Sequence, residues 1–237
     1  MTETRAPLSR DLILTTAVGH ADEHGLEATS MRRLADALGV TPMALYKHVT
    51  SREELIDGMV DTVIAEIAPM EDRSADPAGW TGRLRAQVLA ARDVLARRAW
   101  ATEAIETRQA SSPIVLAYMD TLMGIMRSGG LSMDLVHHAM HALSSRMWGL
   151  TRDVFPTPAL PEEPTERQAV VDQVAIDYPN IAEMVNTVSA SGSGCDADVE
   201  FEFALDMLLD GIDRLHRAGW TPPIPRSHHR TDHQPDP

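Results

Sequence analysis

SMRRLADALGVTPMALYKHVTSREE, residues 30–54, reads as two short helices joined by a tight turn, with a third helix behind them. Ser30 is a helix cap, and Met31, Leu34, Ala35 and Leu38 repeat at the three-four spacing that turns one face inward. Gly39 falls where a left-handed residue ends a helix, a conformation that costs glycine nothing. Thr41-Pro42 restarts the chain, because a first-turn proline lacks only an N–H that would go unpaired anyway. The new helix is expected over Pro42–His48, with Leu45 and Val49 inward. Ser51-Arg52-Glu53-Glu54 is a capping box that opens the next helix.

Helix, glycine turn and short helix make a helix-turn-helix, whose second helix enters the DNA major groove. A plain helical hairpin shares that geometry. The outward face separates the two readings. From Thr29 to Arg52 it carries the bases Arg32, Arg33, Lys47 and Arg52 and a single acid, Asp36, in a chain whose net charge is −14. Thr41, Tyr46 and Thr50 are expected to donate to phosphates, and Arg32, Lys47 and Arg52 to add charge-assisted contacts. Pro42, Met43 and Ala44 offer methyl-type contact to thymine.

The run RRLADALGVTPMALYKHVTSREEL resembles the DNA-binding motif of the TetR family of bacterial transcriptional repressors, in which a Gly-Val turn precedes a short helix ending Leu-Tyr-x-His. Val49, where most members have Phe, is similar to the branch around the tetracycline repressor. The resemblance implies an all-α fold, with a helix-turn-helix domain followed by a helical ligand-binding and dimerisation domain. It places Ser30, Arg32, Thr41, Pro42, Met43, Ala44, Tyr46, Lys47, His48 and Arg52 at DNA-contacting positions. The short helix lacks the Gln or Asn that pairs well with adenine, so the motif leaves the bases read undefined.

Length and composition agree with this class. The 237 residues are 43% hydrophobic but only 4% aromatic, and Ala, Leu and Met favour helix over strand. A lone cysteine, Cys195, excludes an intrachain disulfide framework and fits the cytoplasm. The N-terminus has no apolar signal region, and no apolar run reaches the ~20 residues of a membrane span, so no membrane partner is expected. Residues 1–52 hold six basic and six acidic residues; the other 15 basic and 29 acidic residues follow, so the whole −14 lies outside the motif. An acidic body with one neutral end orients docking on DNA.

Four domain segments are expected: residues 1–68 as the DNA-binding domain with its connecting helix, 69–79 as linker, 80–218 as the second helical domain, and 219–237 as a disordered tail. The first helix starts at the Ser9 cap and ends at Gly25. Beyond the linker, helices are expected over residues 80–100, 113–127, 132–154, 165–177, 180–190 and 198–218, with a short helical turn at 101–107. On the second of these longer helices, Leu116, Met119, Met123 and Met126 are expected to be the inward face. Phe201, Leu205, Leu208, Ile212 and Leu215 line the last helix, and Phe203 and Met207 start a second apolar face that needs a neighbour.

By the resemblance, the helices at 132–154 and 198–218 pair across a two-fold axis in a homodimer, placing Val136, Met140, Leu143, Phe201, Leu205, Leu208 and Ile212 at the interface. A two-fold pair doubles the DNA site read, which favours an inverted repeat in double-stranded DNA. A small-molecule effector pocket is expected around Trp100, Met119, Met123, His141, Met147 and Trp148, large, apolar and adaptable. Tetracycline-binding members use a His-held magnesium chelate at the end of the fourth helix; here that region reads AEIAPMED, and the family's fifth-helix aromatic falls near Ala91, which argues against tetracycline. His137, His138 and His141 form an HHxxH cluster with no acidic or Cys partner nearby in sequence, so neither a metal nor a cofactor is expected. Nucleophile-elbow, phosphate-loop, zincin and dinucleotide motifs are absent, which argues against an enzyme. A helical adaptor without a ligand response is the competing reading.

Overall fold

Short polar side chains start most of the helices. Ser9, Ser30, Ser51, Ser112 and Ser132 accept from the backbone N–H three residues on, at 3.2, 3.4, 3.1, 3.3 and 3.3 Å, filling donors that a helix leaves unpaired. Asp196 does the same for the N–H groups of Asp198 and Val199. In the computed structural model, which describes residues 7–67, 79–107, 112–149, 161–190 and 196–223, all regular structure is helical. The helices are α1 (Arg10–His24), α2 (Met31–Leu38), α3 (Pro42–Leu45), α4 (Arg52–Ala65), α5 (Gly79–Ala96), α6 (Ala99–Glu106), α7 (Pro113–Ser128), α8 (Met133–Gly149), α9 (Pro164–Asp177), α10 (Pro179–Ala190) and α11 (Ala197–Arg217). Side chains at 145–149 and 188–190 lie outside the described set, as do residues 224–237 of the expected tail and Cys195.

Two apolar cores hold the chain. The first joins Ile13, Ala17 and Val18 of α1 to Leu34, Leu45, Val49, and Leu55, Met59 and Val63 of α4. It continues into Ala91, Val94 and Leu95 of α5 and Trp100, Ala101 and Ala104 of α6. The second joins Trp80, Leu84 and Val88 of α5 to Leu122, Ile125 and Met126 of α7, Leu135, Val136 and Leu143 of α8, and Phe201, Leu205, Leu209 and Ile212 of α11. Hydrophobic packing therefore does not divide at 69–79: the C-terminal half of α5 and all of α6 pack on the N-terminal helices. A polar joint reinforces that seam. The Trp100 indole N–H donates to Asp22 of α1 at 2.7 Å, and Arg98 pairs with Glu66 at 2.8 Å and Asp22 at 3.5 Å.

Three expectations about faces are corrected. On α7 the buried residues are Leu122, Ile125 and Met126, while Leu116 and Met119 face outward. IVLAYMDTLMGIM is apolar nearly all round, so its periodicity selects no single face. On α11 Leu209 rather than Leu208 completes the inner row, and Leu215 is exposed. The third concerns the dimer. Val136, Leu143, Phe201, Leu205 and Ile212 are buried inside their own chain, with Met140 and Leu208 half-buried beside them. Side chains buried in one copy offer little to a second; Met140 and Leu208 keep part of their surface, and the most exposed apolar row of α11 is Val199, Phe203 and Met207, about 60% exposed (61%, 63% and 61%). Arg85 and Arg92 of α5 fix that orientation of α11: Arg85 bonds Asp206 at 2.6 Å and Glu202 at 2.7 Å, and Arg92 sits 4.1 Å above the Phe201 ring.

α9 and α10 stand apart. Among the described residues they pack mainly on each other. Their described side chains are exposed, apart from the half-buried Val174 and Ala182.

Candidate nucleic-acid interface

The recognition element is held from below and open above. Leu45 and Val49, both fully buried, anchor it in the first core between α1, α2 and α4. The turn that aims it is Gly39, left-handed at φ 58° and ψ 41°, whose N–H returns to the carbonyls of Ala35 and Asp36. Such a conformation strains any residue with a Cβ. The second support is close packing of α1 on α4: a Cβ at Gly58 would lie 2.6 Å from the Leu14 side chain. The helical part is shorter than the expected Pro42–His48: α3 ends at Leu45, and residues 46–48 turn into the cap of α4. Its last amides close three-residue turns, as in the 2.8 Å bond from His48 N–H to the Leu45 carbonyl.

From that base, Met43 (71% exposed) and Tyr46 (44% exposed) project outward with Thr41, Pro42 and Lys47. Arg32 on α2 and Arg52 at the start of α4 are exposed on either side, while Ser30, Ala44 and His48 are half-buried. Arg32 and Lys47 make no ion pair among the described residues, so their charge is available to an anion. Arg33, by contrast, donates to the Ala28 carbonyl at 3.2 Å. Ser30 accepts from the Arg33 amide through its oxygen and keeps its hydroxyl proton to donate.

Thr50 does not fit the phosphate-donor role expected of it. Its hydroxyl and its backbone N–H both donate to the Glu54 carboxylate, at 2.7 and 2.8 Å. A phosphate only accepts, so a contact from that hydroxyl would break an existing charge-assisted bond. These two bonds hold the Glu54 carboxyl below the usual carboxylate range, hydroxyl first and amide second, with a smaller contribution from Arg10, 3.7 Å away.

The four described members of the expected effector pocket lie in different surroundings. Trp100 is spent on the joint with Asp22, Met119 lies on the outer face of α7, and His141 is exposed on α8 with its ring edge-on to His137 at 4.7 Å. Of the four that are described, Met123 packs partly against the second core, and the Met147 and Trp148 side chains lie outside the described set. Two other groups carry buried polarity in this region. Gln87 of α5 is 3% exposed, and the Tyr118 hydroxyl of α7 is buried with no hydrogen-bond partner among the described residues. Burial pushes the Tyr118 phenol above its ordinary titration range. Tyr118 touches both cores, and α5 and α7 pack together there. Sequence reading passed over both residues; the signal was a Gln beside the inward stripe Leu84 and Val88. Among the described residues no group of three or more His, Cys, Asp or Glu is placed to hold a metal, and no helix is long and apolar enough to cross a membrane.

Comparison with known proteins follows the same outline. Residues 13–59 match the family model for bacterial regulatory proteins of the tetR family, and residues 74–215 match the tetracyclin repressor-like C-terminal domain. The HTH-type transcriptional repressor DrrR1 of Streptomyces coeruleorubidus is 29% identical over 228 residues, covering 88% of this chain and 78% of that one. The class C tetracycline repressor protein of Escherichia coli is 25% identical over 209 residues, covering 88% and 92%. Among solved structures, apo ActR from Streptomyces coelicolor superposes with a TM-score of 0.70 at 25% identity, covering 91% of this chain and 99% of that one. With both halves matched, and the helix-turn-helix built as its geometry requires, the chain belongs to the TetR family of bacterial transcriptional regulators.

Proposed function

We propose that this chain is a ligand-responsive repressor that binds an inverted-repeat operator as a homodimer and leaves it when a small apolar effector binds. The observation that carries the reading is the recognition element: a buried Leu45–Val49 base presenting Met43, Tyr46 and Lys47 to solvent beside the exposed Arg32. Thr41, Tyr46, Arg32, Lys47 and Arg52 position the protein on phosphates; Pro42, Met43 and Ala44 contact base edges. Ser30 and His48 border that surface. Two copies are joined through the exposed α11 row Val199, Phe203 and Met207, and their paired recognition elements set the operator's half-site spacing. The protein is cytoplasmic, where the DNA is, and does no catalysis.

The effector site is the seam between α5 and α7, where Gln87 and the Tyr118 hydroxyl supply polar anchors and Met123 an adaptable wall. An unsatisfied buried hydroxyl gains the most from a ligand carbonyl or hydroxyl. Solved relatives support this class: ActR is known in complex with actinorhodin and with (S)-DNPA. The Asp22–Trp100 and Glu66–Arg98 joint gives ligand-driven movement a rigid path from α6 to α1 and α4, and so to the separation of the recognition elements.

Selection of duplexes from a random DNA library by the purified protein, at near-physiological salt and without ligand, tests the reading. An enriched inverted repeat supports a dimeric, sequence-specific regulator. An asymmetric pool whose binding vanishes as salt rises reduces the contact to electrostatics and moves the helical adaptor ahead.

A further inference from the structure

The turn that leads into α2 is built around one buried hydroxyl. Thr29 is 2% exposed and immediately precedes the cap Ser30 and the exposed Arg32. Its backbone N–H closes on the Leu26 carbonyl at 3.1 Å, and its hydroxyl donates to the Gly25 carbonyl at 3.1 Å. That commits the one proton a hydroxyl has, so Oγ1 enters any further bond as an acceptor. The further partner is the half-buried His20 of α1, whose Nδ1 lies 3.1 Å away. The proton in that bond is therefore on the imidazole, and neutral His20 is the Nδ1–H tautomer.

Both sides of this contact are held. The His24 ring stacks on His20 with centroids 4.5 Å apart and planes at 27°. Its own Nδ1 lies 3.2 Å from the His20 carbonyl, which only accepts, so His24 too is oriented by an Nδ1–H. In the same last turn of α1, Asp22 accepts from the Trp100 indole at 2.7 Å and pairs with Arg98 at 3.5 Å. On the far side of Thr29, Arg33 donates to the Ala28 carbonyl at 3.2 Å, and its amide donates to Ser30 at 3.4 Å. Apolar packing of α1 on α2 is non-directional and leaves sliding cheap. The bond from His20 to Thr29 is directional and spans nine residues, so it sets where the first turn of α2 begins relative to α1.

We propose that His20 is a positioning residue for operator binding: its Nδ1–H, steadied by the His24 stack, fixes Thr29 and with it the placement of Ser30 and Arg32 on the DNA backbone. The inference rests on the DNA-binding reading above and extends it to a residue outside the recognition surface. The tautomer matters, because a proton on Nε2 alone would set two acceptors, Nδ1 and Oγ1, against each other.

Substitutions at this one position separate the donor from the bulk of the ring. An Asn amide N–H falls near the place of Nδ1, a Gln amide near that of Nε2, and Ala supplies neither. The probe is the duplex enriched by the full chain from the random library. His20→Ala and His20→Gln are expected to weaken its binding about fivefold, the worth of one ordinary hydrogen bond, and His20→Asn to stay within about twofold of the parent. Thr29→Val gives the same loss, and His20→Ala/Thr29→Val loses no more than either alone. His20→Ala also lowers the slope of log K against log salt by about one unit, as Arg32→Ala does, because the phosphate contact of Arg32 is misplaced; a loss of stability alone leaves that slope unchanged. Nitrogen–proton correlation NMR of the parent, at alkaline pH where an ordinary imidazole is neutral, shows the His20 proton on Nδ1 and does not depend on any variant folding. A proton on Nε2, equal losses for the Asn and Gln variants, or additive losses in the double variant overturns the proposal. A library with no enriched duplex removes the operator reading and this role together, whereas an enriched duplex that His20→Ala binds as tightly as the parent removes only the role of His20.

Discussion

At the residue scale, the interface depends on which polar groups are already committed. Lys47 and Arg32 make no ion pair among the described residues, and under the proposed reading each contacts a phosphate. Lys47→Ala is expected to weaken operator binding evenly across sequence variants and to reduce the slope of log K against log salt by about one unit. A titration of binding from low to moderate salt measures it; an unchanged slope removes Lys47 from the interface. Thr50 is committed to Glu54. The Glu54 carboxyl is depressed in the folded state, so its contribution to stability is complete above its unfolded titration range and is lost as pH falls through the folded value. Thr50→Val removes the larger cause and is expected to raise the Glu54 titration midpoint toward the ordinary carboxylate value, read from its carboxyl carbon shift by NMR, and to lessen the loss of stability on acidification. Operator affinity stays close to that of the parent, because the hydroxyl was not free to reach DNA.

At the element scale, two glycines hold the motif for different physical reasons. Gly39 is needed for its backbone: its left-handed φ of 58° aims the recognition element. Gly58 is needed for space: α4 comes so close to α1 that a Cβ meets Leu14. Gly39→Ala is expected to cost about 1 kcal/mol, the ordinary strain of a Cβ in that conformation. Gly58→Ala is expected to cost about 1–3 kcal/mol, as overpacking does when a neighbour must move. Urea unfolding followed by circular dichroism gives both values. A Gly58→Ala variant as stable as the parent would show that Leu14 yields without cost.

At the scale of the whole molecule, the two faces of α11 have separate tasks. The inner row Phe201, Leu205, Leu209 and Ile212 is buried in the second core, and the outer row Val199, Phe203 and Met207 faces solvent. A charge on each row separates them. Leu205→Asp places an unpaired carboxylate in the core and is expected to abolish folding. Phe203→Asp is expected to leave a folded chain of native helicity that sediments as a monomer and binds the operator at least about tenfold more weakly, having lost the second recognition element. A Phe203→Asp protein that remains dimeric would move the interface away from α11.

What the sequence determined by itself is local. Ser9, Ser30 and Ser51 cap helices, Gly39 turns the chain, Pro42 restarts it and Leu45 and Val49 face inward, because each depends on a residue and its neighbours within a turn or two of helix. With those positions went the all-α fold and the exposure of Thr41, Pro42, Met43, Tyr46 and Lys47, whereas the Thr50 hydroxyl is taken by a side chain four residues away. Tertiary structure decided whatever depended on which of two possible faces meets a neighbour. α7 and α11 are apolar on more than one side, so periodicity could not say whether Met119 or Leu122, Leu208 or Leu209, turned inward. Packing against α5 and α8 made that choice, and in making it exposed the α11 row that a second copy would cover. Trp100 shows the same limit in a single residue: its apolar ring and scarce indole N–H suit a ligand pocket or a domain joint equally, and only the position of Asp22, seventy-eight residues away in sequence, assigns it to the joint.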